Sequence, residues 1–168
     1  MPRSLPACLV AVLVCGLLIA ACGDSDSDGA KERFIADGDK LCDSLGERFA
    51  KLAATRVSQS PKETVRNAGR YRSLTRELSD GLAKVDLPEG DAEAKRLVGL
   101  AERLTSVARR QKITAQRILT AIDERDPAAV RRRARAFNRV ARGEQISVAT
   151  SFDRGMHAYG FKNCGRST

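Results

Sequence analysis

The sequence predicts an all-α fold, an up-down-up-down antiparallel four-helix bundle, on three observations. From Lys31 onward apolar residues recur three and four apart, with no strand-like alternation. Three breaks that carry proline or capping residues divide this stretch into four segments. The connections are short, and short connections force consecutive helices to lie antiparallel.

The first helix is expected over about 31–57, with Phe34, Leu41, Leu45, Phe49 and Leu52 on one face. "SQSPKE" ends it: Ser60 can cap the next helix, and Pro61 suits a first position that needs no amide. The second helix, about 61–84, carries Val65, Ala68, Tyr71, Leu74, Leu78 and Leu82; "VDLPEGD", with Pro88 and Gly90, closes it. The third, about 91–124, has the clearest stripe: Leu97, Ala101, Leu104, Ala108, Gln111, Ala115, Ile118 and Ile122. In "DERDP" Asp126 caps and Pro127 opens the fourth helix, about 127–159, which Gly160 can stop. Its stripe is Val130, Ala134, Phe137, Ala141, Val148, Phe152, Met156 and Tyr159. Alanines at seam positions predict close helix approach. Gln111 falls on the third seam with Gln145 facing it, the kind of polar pair that sets register. Gly143 and Gly155 each weaken the fourth helix by about 1 kcal/mol relative to Ala, so a bend is expected there.

Ahead of the bundle stands "MPRSLPACLVAVLVCGLLIAAC". Arg3 is its only charge, and its apolar run, about 7–21, is shorter than the roughly 20 residues that span a bilayer. "IAAC", from Ile19 to Cys22, resembles the lipobox of bacterial lipoproteins. The resemblance implies a signal peptide over 1–21, cleavage before Cys22 and acylation of its sulfur. It places the protein on the outer face of the cell membrane, held there by its lipid. Residues 22–30 then read as a flexible acidic tether, 31–164 as the bundle and 165–168 as a tail. Asp24-x-Asp26-x-Asp28-Gly29 has the spacing of half a calcium loop, but the twelfth position is Ile35 where a bidentate Glu is needed. The tether reading prevails.

Cys8 and Cys15 leave with the signal and Cys22 takes the lipid, so Cys42 and Cys164 remain as one pair in an oxidising compartment. Their disulfide would close 122 residues (164 − 42) and contribute on the order of 4–5 kcal/mol at most. Cys42 lies roughly 16 Å up the first helix at 1.5 Å per residue. Cys164 meets it only if "GFKNCG" turns at Gly160 and runs back, with Phe161 packing on the way.

Lysine and arginine number 30 against 21 acids in the whole chain, and removal of 1–21 leaves 29 against 21. Such an excess favours anionic partners. The absence of Trp and the scarcity of other aromatics argue against a stacking surface for nucleic acid or sugars. The charge is concentrated. "PAAVRRRARAFNRVARG", 127–143, holds six arginines and no acid. Arg131, Arg132, Arg135, Arg139 and Arg142 fall opposite the apolar stripe, while Arg133 flanks it. Residues 104–122 also lack acids and hold Arg109, Arg110, Lys112 and Arg117. Together they predict one basic surface at the membrane-distal pole, suited to an anionic wall polymer or an acidic envelope protein. Asp123, Glu124 and Asp126 temper its tip.

"FIADGDKLCDSLGERF", "DLPEGDAEAKRLVGLAERL" and "MHAYGFKNCG" together resemble a group of small secreted or lipid-anchored actinobacterial proteins. Those have a helix with one early cysteine, a Leu-x-Pro-Pro-like linker and a terminal Gly-x-x-x-Cys; here Glu89 stands where a second proline is usual. The resemblance implies a fold, a disulfide and an actinobacterial origin, and carries no activity with it.

Catalytic patterns are lacking. His157 is the sole histidine, and it neighbours Met156 about 100° around the helix, so the two cannot share an iron. There is no Glu-x-x-His repeat and no glycine-rich phosphate loop, and no cofactor is expected. The expectation is therefore a monomeric, non-enzymatic envelope protein acting as an interaction module. The alternative is a small-ligand carrier or sensor with a pocket between the helices, lined by Gln111 and Gln145.

Overall fold

A computed structural model describes residues 25–55 and 60–164. The expected signal peptide, Cys22 with residues 23–24 of the expected tether, and the 165–168 tail lie outside those residues.

Capping chemistry sets most helix boundaries. In α2 (Pro61–Leu82) the Ser60 hydroxyl accepts from the Glu63 amide while the Glu63 carboxylate accepts from the Ser60 amide, a reciprocal capping box with Pro61 just inside it. Asp91 caps α3 (Ala92–Asp123), accepting from the amides of Glu93 and Ala94 at 2.9 and 3.0 Å. Asp126 caps α4 (Pro127–Asn138) through the Ala129 amide at 2.8 Å. The exception is α1 (Ser25–Ala54). It starts six residues before the expected Lys31, so the stretch from Ser25 is helix where a loose tether was expected. Asp28 lies in its first turn, where a carboxylate complements the unpaired amide dipoles.

The fourth expected helix is a rod in three parts: α4, a π-helical segment (Arg139–Glu144) and α5 (Gln145–Tyr159). Val140 and Gln145 are both buried although five residues apart. A straight α-helix would turn them to different faces. The π turn, in which the Gln145 amide donates to the Val140 carbonyl, returns them to one face. The irregularity expected near Gly143 is thus a widened turn. Gly155 has another role: a Cβ there would come within 2.7 Å of Leu97 Cδ2, so the missing side chain lets α5 close on α3.

Among the described residues there is no strand, and no helix is long and apolar enough to cross a membrane. Backbones lie side by side for α1 with α2, α2 with α3, and α3 with the α4–α5 rod. Contacts ascend on one helix as they descend on its neighbour. Arg48 and Phe49 meet Glu77 and Tyr71, Thr105 donates to the Thr75 carbonyl, and Tyr159 reaches Asp91. The core fills the space between them: Phe34, Leu45 and Leu52 from α1; Leu74, Leu78 and Leu82 from α2; Leu97, Ala101 and Leu104 from α3; Val148, Phe152 and Met156 from α5.

At the end where α1 begins and α5 stops, the chain is clamped. Gly160 takes the left-handed conformation, φ 117°, and turns the chain back along α1. Phe161 then seats in the space over Gly38, where an added Cβ would stand 2.4 Å from its ring. Asp39 accepts from the amides of Lys162, Asn163 and Cys164, and Cys164 is disulfide-bonded to Cys42 with Cα atoms 5.2 Å apart. Phe34 meets Tyr159 and Phe161 edge-on at 5.7 and 5.5 Å. The Tyr159 hydroxyl donates to Asp91 at 2.6 Å. Burial, then that bond, raises the Tyr159 phenol well above its ordinary pKa; the same hydroxyl, followed by the Ala94 amide, lowers Asp91.

Candidate functional site

The opposite end is the α3–α4 hairpin, and its turn is built from backbone chemistry. The Arg125 amide donates to the Ile122 carbonyl and the Asp126 amide to the Ala121 carbonyl, the paired bonds of a Schellman motif. Arg125 holds its left-handed position at φ 56°, where glycine is usual; the conformation costs a side-chain-bearing residue roughly 1 kcal/mol. Asp126 ends α3 and caps α4 at once. The Ala129 amide foremost, then the Ala128 amide and the charges of Arg132 and Arg133, hold its carboxyl below the usual range despite some desolvation.

This turn fixes α4 beside α3 and decides where the arginines point. Arg131, Arg132, Arg135, Arg139 and Arg142 are all exposed. Arg133 is half-buried and donates to the Arg117 carbonyl at 2.6 Å, pinning α4 to α3. Arg109 and Arg117 on α3 are exposed as well. Two members of the expected cluster stand apart. Arg110 is ion-paired with Glu144 at the end of the π segment, so its charge is already answered. Lys112 lies on the α2 side of α3, its stem beside Gly69, because position 112 turns away from the rod. The coherent basic surface is therefore the outer face of α4 and the π segment with the neighbouring edge of α3.

Some cations elsewhere in the molecule have acid partners. Lys40, Arg48, Lys51, Arg76 and Arg96 each pair with a carboxylate, on α1, α2 or the start of α3. Among the described residues no carboxylate forms an ion pair with Arg131, Arg132, Arg135, Arg139 or Arg142, although the charge of Arg132 is felt by Asp126. Arg125 adds a further cation at the tip. Its left-handed backbone is set by the whole turn, and no local signal in "DERDP" announces it.

The rest of the molecule offers less chemistry. Gln111 and Gln145 are both buried on the seam, and Gln111 Oε1 has no hydrogen-bond partner among the described residues. Two open grooves indent the surface, one beside Leu41 and Gly81, the other between α3 and α5; neither is lined by Gln111 or Gln145. His157 is exposed in the last turn of α5. No cluster of three or more metal-ligating side chains forms among the described residues. No protein-family model, curated protein or solved structure matches this chain.

Proposed function

We propose that this is a lipid-anchored, non-enzymatic interaction module on the outer face of the cell membrane. Cys22 carries the anchor, and the arginine face of α4 holds an anionic wall polymer or an acidic patch of another envelope protein. The observation that carries this reading is the clustering of five exposed arginines along one rod, three on α4 and two on the π segment, none in an ion pair among the described residues and with no acid anywhere in 127–143. Cations held in no ion pair keep their charge available to an outside anion, and such attraction weakens as salt rises. Arg125, at a position where glycine would be less strained, extends the charge over the tip.

Reversal of Arg131, Arg132, Arg135 and Arg139 to Glu tests the surface. The expected result is loss of salt-sensitive retention on purified cell wall with an unchanged helical spectrum. Unchanged retention would sink the reading. Cys22→Ala tests the anchor separately, by release from the membrane fraction.

A further inference from the structure

The groove between α3 and α5 combines features that the arginine face does not. Arg103 and Arg110 stand two turns apart on one side of α3, with Ser106 between them. Ser147 faces them from α5, and Val107 and Val148, both buried, form an apolar floor. One side chain already lies in this groove as a ligand would. The Glu144 carboxylate is bound by the Arg110 guanidinium, which also reaches the Ser106 hydroxyl at 3.4 Å. Arg103 has no acidic partner among the described residues.

We infer that this groove is a phosphate subsite, that Glu144 occupies it in the free protein as an internal stand-in, and that a phosphate group of an anionic polymer displaces it. This rests on the reading of the protein as a binder of anionic polymers. Three points carry it. A planar carboxylate satisfies Arg110 and leaves Arg103 unused, whereas a phosphate has oxygens enough for both guanidinium forks and the two hydroxyls. Glu144 is delivered by the π turn, an irregularity that recurs at functional sites. The ion pair is half exposed on both sides, so it opens without unpacking the core. The α4 arginines then guide the polymer, and the groove seats one of its phosphates.

The test is titration of the full chain with linear polyphosphate, with poly-glutamate as the carboxylate probe. Glu144→Gln removes the internal competitor, and polyphosphate binding should tighten about tenfold, a difference of roughly 1.4 kcal/mol. Glu47→Gln changes the net charge equally on α1, far from the groove, and should change binding less than twofold, within what a single remote charge does at moderate salt. Adding Arg103→Ala to Glu144→Gln should erase the gain. Equal gains from the Glu144 and Glu47 variants would overturn the inference, because net charge alone would explain them. Equal tightening toward poly-glutamate would overturn the assignment to phosphate. If the four-arginine reversal leaves wall retention intact while Glu144→Gln still tightens polyphosphate, the proposed function fails and the subsite stands. Lost retention with no response to Glu144→Gln gives the converse.

Discussion

Where α1 begins and α5 ends, Phe34, Tyr159 and Phe161 are sealed together, and hydrogen bonds and a disulfide hold the returning chain. At the hairpin end, Val65, Ile118, Val130 and Phe137 occupy the same kind of stripe position and are only half-buried, and Ile122 is 38% exposed. Local sequence does not cause the difference, because both ends follow the same apolar spacing. The cause is the length of α1. Phe49 meets Tyr71, and beyond that contact α1 has five residues left while α2 has ten. The first turns of α2 and α4 and the last turns of α3 therefore pack without a fourth helix. One end concentrates stability and the other leaves surface and charge open, a division common where binding elements come from the less stable part of a fold.

The largest test of this comparison is removal of the clamp. Replacing Cys42 and Cys164 with Ser should lower unfolding free energy by up to about 4 kcal/mol in chemical denaturation, the loop-closure limit for so long a span. A loss below about 1 kcal/mol would mean that Asp39 and the aromatic cluster hold the end unaided. Next comes a matched pair. Phe161→Ala should cost about 3–4 kcal/mol, the range for a buried phenylalanine, and Phe137→Ala about 1 because its site is already half open. Equal losses would erase the distinction between the ends.

The smallest effect is pH-dependent. Tyr159→Phe removes the bond to Asp91 and keeps the ring, at a cost of about 1–2 kcal/mol near neutrality. Asp91 is lowered in the folded state, so its contribution is full above the ordinary carboxylate pKa near 4 and is lost as pH falls below it. Tyr159 is raised, so its contribution is full below the ordinary phenol value near 10 and is lost as pH climbs past it. The gap between wild type and Tyr159→Phe, followed by urea midpoints, should be widest near neutrality and narrow at both extremes. A gap constant from pH 3 to 11 would show that the bond carries no charge.

The four helical stretches were legible because their stop signals are local: Ser60-Pro61, Asp126-Pro127 and Gly160 act on their own neighbours. The return of "GFKNCG" was legible too, since two cysteines and the helical rise leave the chain one way to join them. Features made by distant partners were hidden. The π turn could be missed because the stripe Ala141, Val148 keeps a seven-residue step, although Val140 and Gln145 are the pair that is buried. Arg110 looked like a free member of the basic face because its partner Glu144 is 34 residues away. Composition alone places Lys112 on that face, whereas helical angle turns it toward α2. α1 starts earlier than the sequence predicts, because acidic, small residues suit both a tether and the first turn of a helix.

The bond between Cys42 and Cys164 has a further consequence for what happens when the chain is cut. The links between helices at 83–91 and 124–126 lie between the two cysteines. One peptide-bond break in either of them yields two fragments that still share a covalent bridge. Hydrolysis at a loop therefore releases neither fragment, and the severed protein keeps its full mass until a reductant reaches the sulfurs.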